Sequence, residues 1–271
     1  MIDQPSGKTA GLQMFSRQII RNATPTDSWW SRGDRLVMRV LGVIPARGGS
    51  EGIPRKNLRE VAGKPLIAYA IECAASASSL TDFVTSTDDP EISAVAQECG
   101  STVIERPSEL AADDTPMAET VLHALVMREG ESGIRFDAVV VLQPTSPIRT
   151  GLDVDAALRM LDEDTSADSV VSVVAMDDVH PARMYSLKDG QRMVSLWPSD
   201  ETDRRQDLSP VYFRNGAIYA ARRNLLADSG LLMGPEKRAY EMSSMRLLNI
   251  DSKRDLIVAE ALVPMWKRGE L

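Results

Sequence analysis

The chain has 271 residues, which is long enough for one α/β domain with a large core. Its residues are 43% hydrophobic and 26% charged, as in ordinary globular proteins, and no apolar run is long enough to span a membrane. The net charge of −8 argues against a general nucleic-acid-binding protein, because such proteins neutralise many phosphates with clustered lysine and arginine. These values predict a soluble protein without nucleic-acid or membrane partners. A small anionic ligand needs only a local cationic site and is compatible with them.

The N-terminal segment, residues 1–37, lacks the continuous apolar stretch that a signal peptide requires. We expect a flexible extension here, or a translation start assigned too far upstream. A short amphipathic helix around "LQMFSRQII" is the alternative. The functional domain is therefore expected to be residues 38–271.

From Val40 onward, short β-branched apolar runs alternate with stretches of helical period. The predicted strands are "RVLGVIPA", "DFVTSTD", "STVIERP", "DAVVVLQP", "DSVVSVVAM", "GAIYAAR" and "RLLNID". The predicted helices are residues 65–76, 90–99, 116–127, 152–161 and 252–267. Strands that are nearly continuous apolar runs are expected to be buried on both faces. The pattern predicts a doubly wound, Rossmann-like α/β fold with a mostly parallel sheet.

One segment, residues 177–215, interrupts this alternation. It contains a hairpin signal at "KDGQ", with apolar residues at period two on both sides and no helical pattern. We predict an inserted β arm. Its apolar residues, which include Leu196 and Trp197, are too few to form a separate core, so the arm is expected to pack against a second subunit. A homodimer is the corresponding hypothesis.

The chain contains two cysteines and two histidines. Cys73 and Cys99 lie in helix-like stretches without CxxC spacing or a nearby histidine cluster, so neither a zinc site nor a disulfide framework is expected. Structural roles are predicted for His123, on an apolar helix, and for His180, which precedes a proline in the arm. A reducing cytoplasm fits these residues best.

The segment "PARGGSEGIPRKN", residues 45–57, follows the first predicted strand, where an open parallel sheet usually binds phosphate. Glycines let backbone N–H groups approach an anion closely, and cationic side chains add charge-assisted hydrogen bonds. The side chains suited to this are Arg47, Ser50, Arg55, Lys56 and Asn57. The segment matches neither GxxxxGK[ST] nor GxGxxG, which disfavours a P-loop ATPase and a nicotinamide-dependent enzyme. An anion cradle is predicted, and a solvated basic turn is the alternative.

The same segment, written IPARGGSxGIPRKN, resembles the signature of the N-acylneuraminate cytidylyltransferases and their relatives that act on legionaminic and pseudaminic acids. "AGKPLIAYAI", "STDDPEI", "ERPSELAADDT", "LQPTSPIRT", "FRNGAIY" and "NIDSKRDL" follow in the order that this family shows. The resemblance extends from Val40 to Val263. It implies a nucleotide-diphospho-sugar transferase type of fold, and an enzyme in which the anomeric hydroxyl of a 2-keto sugar acid attacks the α-phosphorus of CTP and releases pyrophosphate.

Because positioning and charge stabilisation dominate phosphoryl chemistry, cations around the triphosphate are needed, and Lys56 and Arg47 are the predicted catalytic residues. The resemblance also implies nucleotide-binding and substrate-binding residues. The expected nucleotide-binding residues are Ala46, Arg47, Gly48, Gly49, Ser50, Asn57, Asp88 and Arg106. The expected sugar-acid-binding residues are Gln143, Arg205, Gln206, Arg214 and Asn215. Turn chemistry at the strand ends, and a solvated face of the arm, are the structural alternatives.

The predicted magnesium ligands are Asp251 and Asn249, because Mg²⁺ takes hard oxygen ligands and needs only one or two protein carboxylates beside phosphate and water. Asp251 is also a plausible N-cap of the following helix. The family typically has aspartate where Asn249 stands, and an amide ligand brings no charge.

Glu51 is a second departure from the family, which commonly has lysine at this position. Glu51 could face solvent or pair with Arg55 or Lys56, it could approach the metal, or it could lower the activity. We favour the first of these. Three hypotheses follow: a cytidylyltransferase for a nonulosonic acid, one for a KDO-like acid or a phosphonate, and a catalytically silent nucleotide-binding homologue.

Overall fold

The computed structural model describes residues 38–50, 52–176 and 179–271. The expectations for residues 1–37, for Glu51 and for residues 177–178 lie outside the described residues. None of the helices in the described ranges is long and apolar enough to cross a membrane.

A seven-stranded sheet forms the centre of the domain, with two short hairpins beside it. The strands of the described residues, in chain order, are β1 (Val40–Pro45), β2 (Glu60–Val61), β3 (Lys64–Pro65), β4 (Asp82–Thr87), β5 (Thr102–Glu105), β6 (Ala138–Val141), β7 (Ser169–Ala175), β8 (Tyr185–Lys188), β9 (Arg192–Ser195), β10 (Tyr212–Arg222) and β11 (Lys237–Met242). The order in the central sheet is β11-β7-β10-β6-β1-β4-β5. All neighbours are parallel except β10, which runs antiparallel to β6 and β7. This arrangement confirms the mostly parallel sheet.

Helices cover both faces of the sheet, as the near-continuous apolar strands require. The α-helices of the described residues are α1 (Leu66–Ser76), α2 (Pro90–Glu98), α3 (Met117–Ser132), α4 (Gly151–Glu163), α5 (Arg223–Ser229) and α6 (Lys253–Lys267). Buried residues of α1, α2 and α4 pack on one face, and those of α3 and α5 pack on the other. Successive residues of β6 alternate between these two cores: Val140 belongs to the first and Val141 to the second. The doubly wound fold is therefore confirmed.

Side-chain caps fix where several helices begin. Asp89 accepts hydrogen bonds from the backbone amides of Glu91 and Ile92 at the start of α2. The predicted cap of α6 is wrong by one residue, because Ser252 forms a capping box with Asp255 and takes the N-cap position. The side chain of Asp251 is therefore not used as the cap.

The prediction of a strand at "RLLNID" is also wrong. This segment contains a 3-10 turn and an extended loop, in which Leu248 and Ile250 are buried in the core that α6 shares with β2. Its apolar residues are explained by that core rather than by the sheet. The strand at this edge of the sheet is β11, "KRAYEM", and its alternating exposed residues give no apolar run. Neither β11 nor α5 was predicted from the sequence.

The inserted segment contains the predicted hairpin, β8 and β9. Its turn places Asp189 and Gly190 at φ 52° and 80°, in the left-handed region that favours asparagine, aspartate and glycine. Leu187 pairs with Met193 across the hairpin. The arm is shorter than predicted, because residues 212–215 belong to β10 of the central sheet.

Candidate active site

The loop that follows β1 lies at the carboxyl ends of the parallel strands, where open α/β sheets bind ligands. Hydrogen bonds to backbone carbonyl oxygens fix its two ends. The Ala46 amide donates to the Ser86 carbonyl oxygen at 2.9 Å, and the Asn57 side chain donates to the Arg47 carbonyl oxygen at 2.9 Å. Ala46 is fully buried, so its role is to hold the loop against β4.

The glycines of the loop have different neighbours. The Gly48 amide donates to the Asp88 carboxylate at 3.0 Å, and a Cβ on Gly48 would come within 2.7 Å of the Asp89 carboxylate. Gly49 faces open space. A Cβ on Gly52 would come within 2.4 Å of the Asp251 carbonyl oxygen, so the absence of a side chain lets the loop touch the segment before α6. The loop and the predicted metal-binding segment therefore form one site.

A cavity of about 490 Å³ opens where these segments meet. Its lining brings together eight of the predicted site residues with five others. The lining residues are Pro45, Arg47, Ser50, Gly52, Lys56, Asn57, Arg106, Met117, Gln143, Pro144, Thr145, Asn249 and Asp251. Residues from four separate parts of the sequence thus form one concave polar surface.

Each cation of the loop has a carboxylate partner. Lys56 Nζ lies 2.7 Å from Asp251 Oδ1, and Arg47 Nη2 lies 2.5 Å from Asp113 Oδ1. Arg55 contacts two carboxylates at the start of α2, Asp89 at 3.3 Å and Glu91 at 2.8 Å. An anionic ligand must compete with these carboxylates for the cations, so ligand binding exchanges one set of ion pairs for another.

Arg106 is held differently from the loop cations. It is 6% exposed, and its guanidinium donates to the Ser86 carbonyl oxygen at 2.7 Å and to the Ser86 hydroxyl at 3.2 Å. Burial lowers the pKa of Arg106 to about 10, with a smaller opposing effect from Asp88. The side chain therefore remains charged at neutral pH.

Burial and the nearby Arg106 charge both lower the pKa of His123, which favours a neutral imidazole.

The predicted metal ligands lie together at the other side of the cavity. The Asn249 amide nitrogen donates to Asp251 Oδ2, while Oδ1 of Asn249 lies 3.5 Å from the Ser146 hydroxyl. The Asp251 side chain is 61% exposed and can accept further ligands. Among the described residues no group of three or more histidine, cysteine, aspartate or glutamate side chains could hold a metal ion. One carboxylate and one amide fit a Mg²⁺ ion that takes its remaining ligands from phosphate and water.

The floor of the cavity is formed by the segment after β6, and the middle of β10 packs behind that segment. The Ile250 amide donates to the Thr145 carbonyl oxygen at 2.9 Å, which connects the floor to the Asn249–Asp251 side. Gly216 has φ +78°, and a Cβ there would lie 3.0 Å from the Ser146 hydroxyl and 3.3 Å from Gln143 Oε1. Gln143, the predicted contact to the sugar acid, lines the cavity.

The other predicted sugar-acid residues do not line this cavity. Arg205 and Gln206 line a second cavity of about 510 Å³ at the base of the arm, together with Met176, His180, Arg183, Leu208, Ser209 and Pro210. Arg214 is exposed, and its guanidinium contacts the Met233 sulfur at 3.3 Å. Asn215 is 2% exposed, and its Oδ1 accepts a hydrogen bond from the Ser172 hydroxyl at 2.6 Å. The Asn215 side chain therefore holds β10 against β7.

His180 makes two structural contacts at the second cavity. Its Nδ1 accepts from the Ala182 amide at 3.1 Å, and its Nε2 lies 3.0 Å from the Ser209 carbonyl oxygen. Since Nδ1 is an acceptor and a carbonyl oxygen needs a donor, these contacts favour the neutral tautomer with the proton on Nε2. This agrees with the structural role predicted from the sequence.

Besides Pro45, Pro144 and Thr145 of the lining, three residues of the site were not predicted from the sequence. Asp113 pairs with Arg47, Met117 lines the cavity, and Gly52 allows the contact with Asp251. A signal existed for the first, because "AADDTP" places adjacent carboxylates after a predicted strand end. The sequence does not indicate which cation they meet.

The sequence model of the Cytidylyltransferase family matches residues 41–263. The chain belongs to the cytidylyltransferase family. It is therefore a nucleotidyltransferase by family, and the resemblance found in its motifs is confirmed at this level.

Several curated relatives match most of the domain. The CMP-N,N'-diacetyllegionaminic acid synthase of Legionella pneumophila is 32% identical over 230 residues, which are 84% of this chain and 97% of that protein. The N-acylneuraminate cytidylyltransferase of Escherichia coli O18:K1:H7 is 28% identical over 221 residues, 82% of this chain and 51% of that protein. N-acylneuraminate cytidylyltransferase A of Danio rerio is 33% identical over 234 residues, 84% of this chain and 52% of that protein. The chain thus spans about half the length of the latter two.

Solved structures share the fold at lower identity. CMP:2-keto-3-deoxy-manno-octonic acid synthetase complexed with CTP superposes with a TM-score of 0.62 at 20% identity, covering 84% of this chain and 99% of that one. The 4-diphosphocytidyl-2C-methyl-D-erythritol synthase of Anaerococcus prevotii gives a TM-score of 0.57 at 12% identity, covering 84% and 96%. These likenesses agree with the doubly wound α/β fold.

Proposed function

We propose that this protein transfers CMP from CTP to the anomeric hydroxyl of a nonulosonic acid of the sialic, legionaminic or pseudaminic type. The hydroxyl oxygen forms a bond to the α-phosphorus, the bond from that phosphorus to the bridging oxygen breaks, and pyrophosphate and the hydroxyl proton leave. The observation that carries this proposal is the cavity itself, in which Arg47, Lys56 and Arg106 meet Asp251 in a member of the cytidylyltransferase family.

The loop cations suit the triphosphate end of CTP. Lys56 and Arg47 line the cavity and would oppose the negative charge that moves to the leaving pyrophosphate. The loop backbone at Gly49 and Ser50 is open enough to approach a phosphate oxygen. Arg106, buried and fixed by Ser86, is suited to a fixed contact with the nucleotide because its position needs little reordering on binding.

We assign the magnesium site to Asp251, with Asn249 beside it. When bound, Mg²⁺ would neutralise phosphate charge and help to orient the triphosphate. The side chains of this chain hold the Asp251 carboxylate in place: Lys56 contacts one of its oxygens and Asn249 donates to the other. Because the amide contributes no charge, a second ion would bind more weakly than at a two-carboxylate site.

The Legionella relative supports the proposed acceptor class, because this chain matches 97% of that protein's length. Gln143 lines the main cavity and would contact the sugar acid there. Arg205 and Gln206, in the second cavity, would receive a carboxylate or polar substituents, since a guanidinium offers two parallel donors to a carboxylate.

We also propose a homodimer built on the arm. Leu187, Met193, Leu196 and Trp197 are between 45% and 65% exposed, although they are apolar and neighbouring in sequence. Burial against a second copy would remove this surface from water. Both cysteines are free, Cys73 buried and Cys99 exposed, and this is consistent with the cytoplasmic location that we propose.

An acceptor panel tests the function. The full chain is incubated with CTP and Mg²⁺ and one of four acceptors: N,N'-diacetyllegionaminic acid, N-acetylneuraminic acid, KDO or 2-aminoethylphosphonate. Pyrophosphate release and the mass of the CMP conjugate are measured. We expect turnover with at least one of the two nonulosonic acids. Turnover only with KDO or the phosphonate would contradict the proposed acceptor class. CTP binding by calorimetry without turnover for any acceptor would support a silent nucleotide-binding homologue instead.

A further inference from the structure

Arg149 is a fully buried cation next to the floor of the cavity. It is 2% exposed and lies at the end of the "QPTSPIR" segment, just before α4. Its Nη1 atom donates to three backbone carbonyl oxygens, those of Gln143 at 2.7 Å, Ser146 at 2.9 Å and Ala217 at 3.2 Å. One nitrogen therefore ties the segment after β6 to the middle of β10.

The segment after β6 forms the floor of the active-site cavity, and the middle of β10 supports it from behind. Gln143 and Thr145 line the cavity, and Ala217 follows Gly216, which packs against the side chain of Gln143. The Ser146 hydroxyl adds a bond of 3.2 Å to the carbonyl oxygen of Asn215. The position of Gln143 relative to β10 thus depends on contacts made behind the cavity wall.

A guanidinium is costly to bury at this position, but it donates to three backbone carbonyl oxygens. The Nε and Nη2 atoms of Arg149 have no hydrogen-bond partner among the described residues, although Cys73 and Asp153 lie close enough to favour the charged guanidinium. Burial lowers the pKa of Arg149, which reflects the cost of removing a charge from water. An apolar side chain would avoid that cost, but it would leave three buried carbonyl oxygens with one donor fewer each.

We propose that Arg149 is a positioning residue that holds Gln143 and the rest of the cavity floor in place for the acceptor. This inference rests on the proposed function for its catalytic consequence. Arg149 lies behind the wall of the cavity and does not line it. The loop cations Arg47 and Lys56 are held by other contacts, with Asp113 and Asp251. CTP binding is therefore expected to depend little on Arg149, and acceptor use is expected to depend on it strongly.

Arg149→Lys and Arg149→Met test the inference, with Arg222→Lys as the matched control. Arg222 also donates to three backbone carbonyl oxygens, those of Ala167 at 2.7 Å, Leu161 at 2.6 Å and Asp164 at 3.1 Å. It pairs with Ala138, the first residue of β6, and therefore lies at the end of the strands that is away from the cavity. The two lysine variants remove the same kind of contact at opposite ends of β10.

Four quantities are measured for each variant: the melting temperature, the CTP dissociation constant, kcat and KM for the acceptor, and the rate of backbone hydrogen exchange. For Arg149→Lys we expect CTP affinity within about twofold of the parent protein and a kcat/KM for the acceptor lower by about 10- to 100-fold, because small misplacements of reacting groups have effects of this size. Arg149→Met should lower kcat/KM for the acceptor further than Arg149→Lys does. Arg222→Lys should lower the melting temperature and leave the kinetics of the folded enzyme unchanged.

The exchange measurement separates this inference from the proposed function. Peptides covering residues 142–150 and 215–219 should exchange faster in Arg149→Lys than in Arg222→Lys, whether or not an acceptor has been found. Unchanged exchange in those peptides would overturn the inference, as would kinetic losses equal to those of Arg222→Lys or a parallel loss of CTP affinity. A parent protein without turnover would overturn the proposed function, while the exchange data would still decide the role of Arg149.

Discussion

Replacing Asp113 by asparagine should strengthen CTP binding, because Asp113 occupies the guanidinium that we assign to the triphosphate. Asp113 Oδ1 lies 2.5 Å from Arg47 Nη2, and the side chains are 60% and 31% exposed. A triphosphate that takes Arg47 must first displace this carboxylate. The carboxylate would then remain near the ligand as a like charge. Both effects oppose binding, and Asp113→Asn removes both while it keeps the size of the side chain.

The size of the effect follows from the exposure of the pair. Ion pairs as exposed as this one contribute about 0.2–1 kcal/mol, and salt screens them. If CTP binding breaks the Arg47–Asp113 ion pair in the parent protein, the dissociation constant for CTP in Asp113→Asn should fall by about 1.5- to 5-fold, since 1.4 kcal/mol corresponds to a tenfold change. The free energy of unfolding should change by less than about 1 kcal/mol, because the pair is at the surface.

Calorimetric titration with CTP and Mg²⁺ measures this change, at low and at high ionic strength. Asp114→Asn is the control, since Asp114 is the exposed neighbour and makes no ion pair with a described residue. It alters the net charge equally and should give a smaller change. The difference between the two variants should shrink as salt is added. Weaker CTP binding in Asp113→Asn than in Asp114→Asn would refute the reasoning, because it would mean that the carboxylate orients Arg47 for the ligand.

Three further predictions concern the loop and the arm. Lys56→Met should lower kcat/KM by about 10²- to 10³-fold in a pyrophosphate-release assay, as expected for a group that stabilises developing charge, and a loss below about tenfold would contradict its catalytic assignment. Gly52→Ala should destabilise the protein by about 1–3 kcal/mol in thermal unfolding and weaken CTP binding, because its Cβ would lie 2.4 Å from a backbone carbonyl oxygen. Gly49→Ala should have little effect on stability or CTP binding, because a Cβ at Gly49 would meet no atom within 4 Å. Leu187→Asp should shift the protein from dimer to monomer in light scattering after size-exclusion chromatography. Leu152→Asp should not, although Leu152 is more exposed, at 78% against 65%. A parent protein that elutes as a monomer would contradict the dimer.

The sequence predicted the centre of the sheet because its strands are buried on both faces. All residues of β1 and β6 are buried, so their apolar runs are continuous and short. The edge strand β11 has alternating exposed residues, and its polar composition hides it. A strand was wrongly predicted at "RLLNID" because burial of Leu248 and Ile250 in a separate core produces the same apolar pattern as a strand.

The loop that we propose for phosphate binding could be located from the sequence because its glycines and cations are contiguous. The carboxylate partners were not, since Asp113 and Asp251 come from distant segments that only the fold brings to the loop. Arg149 was missed for a related reason. Its position after two prolines indicates a loop, and nothing in that pattern shows that the side chain turns inward to three carbonyl oxygens.

The "RNG" motif in β10 shows how strand geometry changes the interpretation of a polar cluster. The pairing of β10 with β7 shifts register between Arg214 and Tyr219, so the regular alternation of side chains between the two faces of the sheet does not hold here. Arg214 is exposed and Asn215 is buried against Ser172, so the two side chains do not face one ligand. The residue of the motif that touches the floor of the cavity is Gly216, whose lack of a side chain leaves room for Gln143. The shape of the cavity floor at this point therefore depends on the glycine, whereas the Asn215 amide beside it bonds to Ser172 within the sheet.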